Sequence, residues 1–137
     1  MAEVESGEGQ GDGSETELIY VYLPEPLGPI DRGDKYEDPI DDELQERSLG
    51  YVSGGGSALS EELPDGRREI VSCGIDVDTT DVAAARELLR EQLVSLGCPA
   101  GTQLHYREGE TPLQDEYDGS DWSVGRPRTM MHPGFGI

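Results

Sequence analysis

The chain has 137 residues, and its 30 Asp and Glu against 10 Lys and Arg give a formal net charge of −20. Affinity for nucleic acid comes mainly from Lys and Arg displacing counterions at phosphates, so this balance speaks against direct nucleic-acid binding and against an anionic membrane surface. It favours a basic protein partner, because complementary charge speeds encounter.

Residues 1–17 carry Glu3, Glu5, Glu8, Asp12, Glu15 and Glu17 with almost nothing apolar. That is too little to offset the entropy of ordering, and the segment reads as a disordered acidic tail. Met1-Ala2-Glu3-Val4-Glu5 has neither the basic start nor the apolar run of a secretory signal. No stretch approaches the ~20 apolar residues that span a bilayer, so a cytoplasmic location is expected.

Leu18 to Leu23 gives six consecutive β-favouring residues, closed by Pro24, Pro26 and Pro29, and is the first strand. A helix is expected with Asp38 as N-cap, Pro39 at its first position and Asp41, Asp42 and Glu43 in a first turn where the dipole favours negative charge. Ile40 and Leu44 share one face of it, and Gly50 stops it. Leu49 to Ser53 is a weak second strand running into Gly54-Gly55-Gly56-Ser57, read as a flexible turn or bulge, and Pro64-Asp65-Gly66 supplies turn chemistry ahead of the third strand. From Glu69 to Val77 the residues alternate, with Val71, Cys73, Ile75 and Val77 on one side and Ser72, Gly74 and Asp76 on the other.

Thr79, Thr80 and Asp81 offer caps for the strongest helix, in which Val82, Ala85, Leu88, Leu89, Leu93 and Leu96 keep an amphipathic period. Gly97 and Pro99 end it, and Thr102 to Tyr106 makes a last short strand. After Arg107 the pattern dissolves, although Trp122, Met130, Met131 and Phe135 are spaced through the remainder. The expected organisation is a disordered tail over 1–17, one α+β domain over 18–107, and a mostly irregular tail over 108–137.

The order β, α, β, β, α, β is the split βαβ arrangement of ferredoxin-like folds, in which two helices cover one face of a four-stranded antiparallel sheet. If Ile19, Val21 and Leu23 face the helices with Val71, Cys73, Ile75 and Val77, the open face presents Tyr20, Tyr22, Ile70, Ser72, Gly74 and Asp76, joined by His105. Tyrosines beside carboxylates suit protein binding, since Tyr supplies large contact area at low entropic cost. The same tyrosines would equally serve packing under the tails or in a homodimer.

The chemistry-bearing candidates are weak. Gly54-Gly55-Gly56-Ser57 lacks the Lys-Ser/Thr of a phosphate-binding P-loop. Asp76, Asp78 and Asp81 fit a calcium loop poorly, because Asp81 stands where such a loop needs glycine. Asp31, Asp34, Glu37, Asp38, Asp41, Asp42 and Glu43 form the densest acid cluster, and a solvated or partner-facing ridge accounts for it better than paired-carboxylate catalysis does. His105 and His132 are the only imidazoles, and neither stands beside a recognisable nucleophile motif. Cys73 and Cys98 are too few for a disulfide framework or an all-thiolate zinc site and read as buried free thiols. No cofactor and no metal is expected.

From Leu49 to Tyr106 the chain resembles the acidic bacterial regulators that inhibit ribonuclease E. The residues concerned are the Leu49-Gly50-Tyr51-Val52 strand, the Asp65-Gly66 turn, the Glu69-Ile70-Val71 strand and the helix after it. The resemblance implies that a small acidic protein of this layout can act as an inhibitor.

The expected function is therefore non-catalytic. The chain reads as a protein-binding or inhibitory protein of the immunity or anti-enzyme type, docking Tyr20, Tyr22, Asp34, Glu37, Asp38, Asp41, Asp42, Asp76 and Asp78 on a basic partner such as a nuclease or toxin. Two alternatives stand beside it: a small enzyme or ligand-binding domain using Gly54 to Ser57 with Asp76 and Asp78, and a scaffold or subunit of a larger assembly.

Overall fold

A computed structural model describes residues 16–129. The β-favouring run near its start forms strand β1, Glu17–Leu23, whose alternation puts Ile19, Val21 and Leu23 at full burial and leaves Tyr20 and Tyr22 half-buried on the reverse side. The expectations for most of residues 1–17, and for Met130, Met131, His132 and Phe135, fall outside the described residues.

The first helix starts earlier than the Asp38 cap suggests. Pro29–Arg32 and Asp38–Glu46 are α-helical and Gly33–Glu37 between them is π-helical, so that 29–46 is one continuous element, α1. Pro29 takes the first position, where its missing N–H costs nothing. Asp38, expected as an N-cap, instead lies inside the element and donates its backbone N–H to Gly33 O, five residues back. Pro39 follows directly and has no N–H to give an ordinary helical bond, which is the physical reason for a wide turn just ahead of it. Arg32, Tyr36, Ile40 and Leu44 recur every fourth residue and are all buried.

Strand β2, Gly50–Leu59, passes straight through the glycines that the sequence suggested as a flexible turn. A bulge between Val52 and Gly54 is present, but Gly54 to Ala58 then pair in continuous register with strand β3, Ile70–Thr79. Pairing with β3 offsets the entropy glycine loses on ordering. At Gly55 a β-carbon would displace the Glu37 carboxylate and lie 3.0 Å from both Arg32 Nε and the Gly74 carbonyl, so a side chain there would disturb the Arg32–Glu37 ion pair.

In β3, Cys73, Ile75 and Val77 are buried as expected, whereas Val71 is 52% exposed. The register explains the exception: Ala58 pairs with Ser72 and Leu59 with Ile70, so Val71 is the extra residue of a bulge and turns outward.

The second helix, α2, is Val82–Ser95. Asp81 caps it by accepting the Ala84 N–H at 3.1 Å, and Gly97 closes it at a φ of 87° that glycine adopts freely. Ala85, Leu88, Leu89 and Leu93 are its buried stripe.

Strand β4, Gln103–Glu108, is followed by β5, Thr111–Tyr117, and β6, Trp122–Pro127, where irregular chain was expected. All pairings are antiparallel and the sheet has six strands rather than four, in the order β2-β3-β1-β4-β5-β6. The fold class is thus α+β, with the expected number of helices and two more strands. The polar sequence of 111–127 hides this hairpin because one of its inward positions is a carboxylate, Asp115, whose partners lie on α2 and β4. Ile19, Val21, Leu23, Cys73, Ile75, Val77, Leu104 and Tyr106 join the buried apolar residues of both helices in one core cluster.

Candidate functional site: the acid-flanked edge of β2

The nine residues expected to dock a partner fall into three places. Tyr20 and Tyr22 lie on the reverse face of β1, opposite Asp76 and Gly74 of β3, and Asp78 follows on the same face opposite Leu18. Asp34, Asp38 and Asp42 form an exposed ridge on α1, while Glu37 and Asp41 are half-buried and turned toward β2.

The reverse face is narrower than the open platform expected. Ser72, Gly74, Gln103, His105 and Gln114 are all buried there. Tyr20 lies across Gly74 so closely that a β-carbon at Gly74 would overlap its phenol ring. The Tyr20 ring also stands 5.9 Å from that of His105, whose Nε2 is 2.7 Å from Gln103 Oε1. Burial first, and then the Asp76 charge, push the Tyr20 hydroxyl above its ordinary range. His105 therefore belongs to the packed part of this face and not to a docking surface.

Both sets of carboxylates converge on β2. From the helix side, Asp41 Oδ1 accepts the Val52 N–H at 2.8 Å and its Oδ2 accepts from Gln45 at 2.8 Å. Glu37 is ion-paired with Arg32, and Arg32 reaches Ser57 Oγ at 3.0 Å while that hydroxyl donates to Leu27 O at 2.7 Å. From the reverse side, Asp76 stands opposite Gly54 and Asp78 opposite Tyr51. Asp78 accepts from Thr16 Oγ1 at 3.2 Å. Asp76 Oδ1 is buried with no hydrogen-bond partner among the described residues, and burial, followed by the Asp78 charge, raises its carboxyl above the usual range. Asp41, Asp76 and Asp78 form no ion pair among the described residues.

Two hollows lie along this strand. One of about 330 Å³ is lined by Tyr20, Gly55, Gly56, Ser57, Cys73 and Asp76, and a wider trough of about 810 Å³ is lined by Asp41, Gln45, Tyr51 and Val52 among others. Gly55, Gly56, Ser57 and Asp76 of the ligand-binding alternative thus meet in one hollow, but Gly54 and Asp78 do not line it. Asp81 is spent on capping α2. No group of three or more His, Cys, Asp or Glu is placed to hold a metal among the described residues. Cys73 and Cys98 are buried free thiols, each raised above its ordinary value chiefly by burial.

Sequence reasoning missed Arg32, which fixes Glu37 against β2, and missed that Gly54 to Gly56 belong to a strand. A signal for the strand was present. Tyr51 and Val52 precede the glycines and Ala58 and Leu59 follow them, with no Pro, Asn or Asp between to make a turn.

Comparisons with known protein families, with characterised proteins and with solved structures return no match to this chain. No helix among the described residues is long and apolar enough to cross a membrane.

Proposed function

We propose that this protein is a non-catalytic binding or inhibitory protein that docks an acidic surface on a basic protein partner, such as the nucleic-acid cleft of a nuclease. The observation that carries the reading is the placement of Asp41, Asp76 and Asp78 around β2 with no ion-paired cation among the described residues, in a chain of net charge −20. Asp41 and Asp78 accept hydrogen bonds from neutral donors only and Asp76 Oδ1 accepts none among the described residues, so an incoming Lys or Arg supplies the opposite charge that these partly buried carboxylates lack. The order β2-β3-β1-β4, antiparallel throughout and with one helix in each long connection, supports a ferredoxin-like core extended by the β5–β6 hairpin.

A pull-down from the native host, repeated across a salt series, tests the docking. A basic protein released as salt rises is the expected result. Capture of partners that are not basic, or retention that ignores salt, overturns the reading.

A second reading, a small ligand-binding domain, is favoured by the 330 Å³ hollow with its unpartnered Asp76 Oδ1. Thermal melts with divalent metals, amines and nucleotides separate the two, because a ligand at one hundred times its dissociation constant stabilises the fold by about 2.7 kcal/mol. An unchanged melting temperature in every condition removes this alternative.

A further inference from the structure

β2 closes one side of the sheet and β6 the other, and the two edges are unlike. β6 has six residues, is interrupted by Gly125 at a φ of 66°, and ends in Arg126 and Pro127, the last with no N–H to offer. Charge, proline and irregular backbone are the usual means of blunting a free edge. β2 has ten residues and carries neither a charge nor a proline. Between its two register shifts, Gly54 to Ala58 run unbroken against β3, and three of these five have no side chain to shield the backbone on the outer side. Asp41 already takes the Val52 N–H, but no strand among the described residues pairs with the outer side of residues 54–58, and an edge of this kind is a template for another strand.

Charge decides what that strand is. A second copy of this chain brings another net −20 to the same edge, so self-pairing is opposed. Carboxylates stand on both faces of β2, Asp41 on the helix side and Asp76 on the reverse. An extended segment alternates its side chains between faces, so cations on both of its sides find an acceptor.

We propose that the outer edge of β2 takes up an extended, Lys- and Arg-rich segment of a partner protein as a seventh strand, with one cationic side chain seated against Asp76 in the hollow beside Tyr20. The inference rests on the docking reading above and supplies its mode. Main-chain hydrogen bonds to β2 hold the segment, and the carboxylates on either face select its basic side chains. The seated cation gives Asp76 Oδ1 the donor it lacks.

The test uses the full chain and a synthetic twelve-residue Lys-Thr peptide of repeating Lys-Lys-Thr-Thr, which places cations on both faces of an extended strand. Amide hydrogen exchange is expected to slow about tenfold or more within residues 54–58 on binding. A Glu-Thr peptide is expected to have no effect, and so is a Lys-Thr peptide N-methylated along one edge. Asp76→Asn is expected to weaken binding about tenfold, as loss of one charge-assisted contact does. Gly56→Arg is expected to abolish it. A β-carbon at Gly56 meets nothing within 4 Å, and position 56 lies diagonal to Asp76 on the same face, so the new guanidinium occupies the seat from within the chain. Failure of the Lys-Thr peptide to bind, protection confined to α1, or undiminished binding by both variants overturns the inference. The docking reading fails separately. A basic host protein released by Asp34→Asn, Asp38→Asn and Asp42→Asn together but indifferent to Gly56→Arg leaves docking intact and removes β2 from it, whereas the absence of any salt-sensitive basic partner removes docking itself.

Discussion

Asp115 on β5 accepts both side-chain N–H groups that Arg86 of α2 points at it, at 2.9 Å each, and does so at zero solvent exposure. Its oxygens take three further hydrogen bonds, from Arg90 at 2.8 Å, the Tyr106 hydroxyl at 2.8 Å and the Gly125 N–H at 2.9 Å. Arg86 also lies over the Tyr106 ring, 3.9 Å from its centroid. One carboxylate thereby ties α2, β4, β5 and β6 together. Removing it leaves two guanidinium groups without their acceptor, and Asp115→Ala is expected to cost about 3–5 kcal/mol. Urea unfolding followed by circular dichroism checks this. A loss below about 1 kcal/mol, the range of exposed ion pairs, would show that the network is solvated.

The same group sets an acid limit. Burial alone pushes the Asp115 carboxyl up, but the Arg86 hydrogen bonds, the Gly125 N–H and the Tyr106 hydroxyl outweigh it, and the net shift is downward. A depressed folded-state value means stability that is complete above the unfolded carboxylate value of about 3.9 and is lost as pH falls through the folded one. The wild type is expected to lose more stability than Asp115→Asn between pH 5 and pH 2 (on the order of the range where unfolded carboxylates titrate). Parallel pH profiles for the two chains would contradict it.

Ending the chain after residue 110 removes β5 and β6, and with them Asp115 and the Tyr117–Trp122 ring contact at 5.2 Å. Arg86, Arg90 and the β4 edge then lose their partners together. Such a chain is expected to lose its cooperative thermal transition. A sharp melt near that of the full chain would mean that the hairpin is an appendage.

Tyr20 fills the space that a side chain at Gly74 would need. Gly74→Ala is expected to destabilise the fold by about 1–3 kcal/mol, the range for overpacking. Combined with Tyr20→Ala, most of that loss is expected to disappear, giving a coupling of more than about 0.5 kcal/mol in a double-mutant cycle. Additive losses would place the strain somewhere other than the phenol ring.

Cys73 and Cys98 are 2% and 8% exposed, and burial raises both thiols. Little thiolate forms near neutral pH and little of it is reachable. An aromatic disulfide reagent is expected to label neither cysteine in the native protein over minutes and to label both promptly in denaturing urea. Fast native labelling of either one shows that the core opens locally there.

What the sequence determined was whatever neighbouring residues decide among themselves. The alternation of Ile19, Val21 and Leu23, the Asp81 cap and Gly97 stop of α2, and the buried faces of both helices follow from periodicity and capping, which act over a turn or two of chain. The excess of acid was legible for the same reason, since charge needs only to be counted. Tertiary structure decided what depends on partners distant in the chain. Gly54 to Gly56 are a strand because β3 pairs with them, 111–127 is a hairpin because Asp115 finds Arg86 across 29 positions, and Val71 turns outward because β2 and β3 slip by one residue beside it. Carboxylates from α1 and β3, more than thirty positions apart, stand on the two faces of one edge only because the sheet order brings them there, and local propensity carries no information about that order.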